Sequence, residues 1–122
     1  MRFLRLLCCL GGATAAVSYA HHSLPALFDT SRTVVVAGEV TRFEFEAPHS
    51  YIHLNVADAA GKPTAWQIET YPPGMLIRKG LTPDTLMPGH RISVNGNPSR
   101  DGRPLLRLLT IVMPDGEERQ IQ

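Results

Sequence analysis

Thiols are almost missing from this chain, which has two cysteines, Cys8 and Cys9, both near its start. Aromatic residues are sparse at 7%, with a single tryptophan, and neither sign of charge prevails, at 12 Lys plus Arg against 11 Asp plus Glu. The even charge argues against a nucleic-acid binder, which would carry a basic face, and against adhesion to anionic lipid by charge. There is no phosphate-cradling glycine loop, since Gly11-Gly12 lies inside an apolar N-terminal stretch. There is no internal repeat and no low-complexity tract. The one apolar run is too short, and too broken by Gly11, Gly12 and Thr14, for a comfortable membrane span.

That run reads as an export signal. Arg2 and Arg5 form a positive start, Leu6 to Val17 an apolar middle, and Ser18-Tyr19-Ala20 a small-x-small cleavage site. Ala13-Thr14-Ala15 is a competing site of the same pattern. Cleavage after Ala20 removes both cysteines, so the exported domain holds itself together without disulfides, although an oxidising compartment would permit them. Lys plus Arg then falls from 12 to 10 against 11 acids, a formal charge near −1. The expected organisation is a signal peptide over residues 1–20, an N-terminal arm over 21–32 and one domain over 33–122, in the periplasm or secreted. About 100 residues can bury a modest core, roughly two-thirds of the unfolded chain's surface.

Along the domain, Thr33–Phe45 is rich in Val, Thr and Phe, with Gly38 suggesting a bulge or bend. After Ala47-Pro48, His49–Val56 alternates, with Ile52, Leu54 and Val56 on one face and His49, Tyr51, His53 and Asn55 on the other. Thr64–Thr70 is the next strand, with Trp66 and Ile68 opposite Gln67 and Glu69. Trp66 reads as a core residue rather than a ligand-stacking one. Tyr71-Pro72-Pro73-Gly74 opens a short helix that ends at Gly80. Arg91–Asn95 is a strand with Ile92 and Val94 inward, and Leu105–Met113 a long apolar one interrupted by Arg107 and Thr110. Glu118–Gln122 is a short tail. Five strands with one short helix between the third and fourth describe a mostly β, OB-like Greek-key barrel, with a small β-sandwich as the alternative.

With no cysteine left, the histidines are the natural ligands for a transition metal. If cleavage follows Ala20, His21 brings an α-amine and an imidazole to one ion, and His22 adds a second imidazole. Such nitrogen-rich, tetragonal geometry suits Cu(II). The α-amine has an ordinary pKa near ~8, so metal can displace its proton at neutral pH. His49 and His53 share a strand face with Cα atoms roughly 13 Å apart, too far for one ion without bending, so either would complete a site with the arm. His90 lies in a turn. Glu69 beside His90, or Glu44 and Glu46 near His49, are the thin catalytic alternatives; the ordinary reading of all three acids is a solvated strand face.

The expected mature start Ala20-His21-His22-Ser23 is followed by Gly38-Glu39-Val40, Ala47-Pro48-His49, Trp66-Gln67-Ile68-Glu69, Leu76-Ile77-Arg78-Lys79-Gly80, Leu86-Met87-Pro88-Gly89 and Arg100-Asp101-Gly102. In these motifs the chain resembles a family of small exported proteobacterial proteins of unknown function. The resemblance covers essentially the whole mature chain and implies export and a compact β-barrel-like fold. It brings no activity with it. Ala47 stands where the family has Asn, and Leu81 where a Trp follows the glycine. If that Asn orients the histidine in relatives, His49 is less well held here.

The expected function is a periplasmic metal-binding or metal-handling protein for copper, with His21, His22, His49 and His53 as ligands and no enzymatic activity. The alternative is a non-catalytic interaction or ligand-binding module with a periplasmic protein or small-molecule partner. No nucleic acid and no stable membrane insertion are expected after cleavage.

Overall fold

A computed structural model of the protein describes residues 23–122. Its elements in chain order are α1 (Leu24–Leu27), β1 (Val34–Glu44), β2 (Tyr51–Ala57), β3 (Pro63–Glu69), α2 (Pro73–Arg78), β4 (Arg91–Pro98), β5 (Leu105–Val112) and β6 (Glu118–Gln120). The strands lie in the order β3-β2-β1-β4-β5-β6, and a further pairing of β3 with β5 closes the first five into a barrel. This is the OB-like architecture expected from the order of strands and helix.

Closure depends on a long first strand. Val34–Glu39 pairs with β4, and Glu39–Glu44 pairs with β2, so β1 serves both halves of the barrel. Gly38 sits near that handover. A Cβ there would lie 2.5 Å from the Asn55 carbonyl oxygen, so only glycine lets the two backbones approach. The expected irregularity is therefore a close approach; the register shift itself falls between Val40 and Arg42.

The inward set is the one the alternation marks. Ile52, Leu54, Ile68, Ile92 and Val94 are at most 5% exposed and cluster with Leu106, Leu108 and Ile111 of β5. Leu76 of α2, with Leu81 and Leu86 after it, joins the same cluster. Pro73 opens α2 and Gly80 closes it at φ +76°. A helix so short persists only because Leu76 is wholly buried. Trp66 is partly buried against this core.

Three strand boundaries differ from the sequence-based expectation by more than one residue. The tail forms β6, pairing Glu118, Arg119 and Gln120 with Val112, Ile111 and Thr110. Its polar residues give no apolar alternation, as suits a short charged edge strand, while Ile121 beyond it is 1% exposed. β4 runs on to Pro98 because Gly96, Asn97 and Pro98 pair with Leu108, Arg107 and Leu106. β2 begins at Tyr51, leaving His49 in the loop, where the Ala47–Pro48 peptide bond is cis.

The arm carries one helical turn, α1, and is anchored on the β4–β5 hairpin. Phe28, 0% exposed, bridges Ser99, and the Arg100 side chain donates to the Pro25 carbonyl at 2.7 Å. Leu24 of the same turn is 42% exposed. No helix among the described residues is long and apolar enough to cross a membrane.

Candidate functional site

The pleat and the register assemble two rows of side chains on the outer face of β1, β2, β3 and β5. One row runs Glu44, Tyr51, Glu69, Arg107; the next runs Arg42, His53, Gln67, Leu105. Each row takes one residue per strand because facing residues in neighbouring strands point the same way.

The first row encloses a buried ion pair. Glu69 Oε1 lies 3.2 Å from Arg107 Nη1, with the two side chains 8% and 6% exposed. Arg107 also donates to the Thr70 carbonyl at 3.4 Å, and its guanidinium lies 4.5 Å from the centre of the Tyr71 ring. Two buried charges are tolerated only when each offsets the other's lost hydration. Tyr51 packs beside them. Burial, followed by the Glu69 and Glu44 carboxylates, pushes its phenol above the usual range.

The same Glu69 oxygen is 3.2 Å from His49 Nδ1, whose side chain is 42% exposed.

The second row borders a cleft of about 300 Å³. His53, Ala65, Trp66 and Gln67 form its floor, and Arg103, Pro104 and Leu105 of the β4–β5 hairpin form its wall. His53 Nε2 is 3.0 Å from Glu44 Oε2 and 3.1 Å from Arg42 Nη2, while Arg42 donates to Glu44 at 2.7 Å. The hairpin tip is tied by Asp101. It accepts from the Ser99 hydroxyl and the Arg103 backbone, which hold its carboxyl below the usual value. It also pairs with the Arg103 side chain at 3.2 Å. A second groove of about 340 Å³, between β1, β4, β5 and β6, is lined by Val35, Ser93, Asn95 and Thr110 among others, with neither histidine nor arginine.

The model of a family of unknown function, DUF6152, matches residues 9–105. The chain belongs to that family. No curated protein matches this DUF6152 sequence. A solved structure, the crystal structure of TiaS in complex with an isoleucine tRNA and ATP, is similar at a TM-score of 0.48 and 18% identity, over 67% of this chain and 18% of that one.

Within the DUF6152 chain, His21 and His22 lie outside the described residues. His49 and His53 are taken up by different carboxylates, Glu69 and Glu44, and no three His, Asp or Glu side chains among the described residues form a metal cage. Glu69 meets His49 rather than His90, whose Nδ1 accepts from the Met87 backbone at 3.0 Å. Glu44 meets His53 rather than His49. Glu69 is no solvated strand residue: at 6% exposed it is interior, paired with Arg107. His49 lies beside Glu69, and Ala47 is exposed. Arg107 was absent from the sequence-based site. Its signal was a lone charge inside the apolar run Leu105–Met113, where burial on both faces demands an opposite partner.

Proposed function

We propose that this is an exported, non-catalytic binding module that takes its partner or ligand on the outer face of β2 and β3. One observation carries the reading. The cleft between that face and the β4–β5 hairpin combines an apolar lining (Ala65, Trp66, Pro104, Leu105) with a few polar groups (His53, Gln67, Arg103). It also lies where OB barrels take ligands, between the strand 2–3 face and the loop joining strands 4 and 5. Trp66, the single tryptophan, borders the cleft, so its emission reports occupancy directly. The test recovers the mature protein and Ala65→Arg from the periplasm and compares what each retains by native mass spectrometry. The added side chain fills the cleft from an exposed position, so the parent keeps a ligand or partner that the variant loses. Identical retention by both proteins refutes the reading.

A second reading, copper handling, is favoured by His49. Metal-binding imidazoles characteristically have a carboxylate beside their other ring nitrogen, and His49 Nδ1 lies 3.2 Å from Glu69 Oε1. Its Nε2 would join His21 and His22 at the mature N-terminus. Cu(II) titration of the mature protein, followed in the visible d–d band, tests it. Retention of parental affinity by the His21→Ala/His22→Ala variant refutes the terminal chelate, and retention by His49→Ala refutes the third ligand.

A further inference from the structure

We infer that the open half of β3 accepts an extended peptide segment of a partner protein as an added strand, with the cleft receiving one of its side chains. The inference rests on the binding-module reading and names the class of partner.

The case begins with an asymmetry in β3. Toward β2, all of Pro63–Glu69 is paired. Toward β5, only Gln67, Ile68 and Glu69 are paired, with Leu105, Leu106 and Arg107. That parallel ladder opens with the Gln67 N–H donating to the Pro104 carbonyl at 3.0 Å. Pro63–Trp66 therefore has no strand beside it on that edge among the described residues.

The alternation of backbone groups tells what this edge offers. Gln67 points its N–H toward β5. On the other edge, the Thr70 N–H donates to Ser50 of the loop leading into β2. Odd-numbered residues of β3 thus present N–H and C=O toward β5, and even-numbered ones toward β2. Ala65 offers a donor and an acceptor to the gap, and Pro63, lacking an N–H, offers an acceptor alone. The spacing of two residues is what one extended backbone matches.

The chain cannot close this gap with its own hairpin. Pro104 has no N–H, and the turn through Gly102, at φ +78°, carries the chain away toward β4. Arg103 and Pro104 instead form the far wall of the cleft, opposite Ala65 and Trp66. In a mature form cut after Ala20, His21 and His22 alone would precede the described residues, too few to pair along Pro63–Trp66. The flanking charges, Arg42 with Glu44 and Arg103 with Asp101, are already neutralised. Recognition then comes from backbone pairing and an apolar side chain against Trp66 and Pro104.

The experiment uses the mature protein with a phage-displayed library of linear heptapeptides as the probe. Amide hydrogen exchange is measured first: in the free protein the Ala65 N–H exchanges at least ten-fold faster than that of Gln67. Selected peptides, made synthetically, change Trp66 emission and slow Ala65 exchange at least ten-fold. Ala65→Pro removes the edge donor and weakens binding at least ten-fold. Because proline could disturb β3 itself, a peptide N-methylated at the paired amide, tested on the unaltered protein, must show the same loss. Ala65 exchange already as slow as Gln67 overturns the inference, as does equal binding of methylated and unmethylated peptides. Failure to select any peptide, with a small molecule lost on Ala65→Arg, also overturns it and leaves the binding-module reading standing. If neither peptide nor small molecule binds, both readings fall.

Discussion

The Glu69–Arg107 pair allows a double-mutant cycle whose outcome follows from burial. Both side chains are less than a tenth exposed, and each is the other's main source of compensation. Removing one partner from such a pair costs about 3–5 kcal/mol, whereas replacing both with apolar residues is often close to neutral. Glu69→Leu is the worse single change. It leaves Arg107 charged, with only the Thr70 carbonyl and the Tyr71 ring nearby, and a guanidinium cannot shed its proton. Arg107→Leu leaves a carboxylate that still has the half-exposed His49 ring 3.2 Å away. For a domain near 100 residues, about 4 kcal/mol corresponds to a fall of roughly 16–32 °C in Tm. Urea and thermal unfolding followed by circular dichroism give all three stabilities. Each single variant should fall by several kcal/mol, and the double variant should recover most of that loss. Two singles costing under about 1 kcal/mol each, or a double variant equal to their sum, would refute the reasoning.

Three further outcomes follow from the packing. Gly38→Ala drives a Cβ against the Asn55 carbonyl oxygen, a backbone atom that cannot swing aside, and should cost about 1–3 kcal/mol in urea unfolding. Phe28→Ala, at a fully buried position, should cost about 3–5 kcal/mol and expose the arm to limited proteolysis well before the barrel is cut. Tyr51 keeps its phenol neutral more strongly when folded, so its contribution is complete below the unfolded pKa of about 10 and is lost as pH rises through the higher folded value. Tyr51→Phe should therefore flatten the decline in stability above pH ~10, which denaturant melts at stepped alkaline pH would register.

Much of the barrel was legible because its signals are local. Ile52, Leu54 and Val56 alternate against Tyr51, His53 and Asn55, and that period alone assigns β2 its inner and outer faces. Prolines and Gly80 bracket α2 for reasons intrinsic to their backbones. β6 was not legible, because Glu118-Arg119-Gln120 has no apolar face and becomes a strand only when β5 offers it an edge. The histidine partners were hidden for a related reason. Which carboxylate meets His49 depends on a loop that places residue 49 next to residue 69, a separation in sequence that no period records.

The sequence by itself determined the strand faces, the short helix and the order from which an OB-like barrel follows, since each rests on the chemistry of neighbouring residues. Tertiary structure alone decided that β3 meets β5 along Gln67–Glu69, which buries Arg107 against Glu69 and leaves Ala65 facing a gap. Closing a barrel is a long-range act: the curvature of all five strands sets where the ends meet, and the outer-face chemistry lies at that seam.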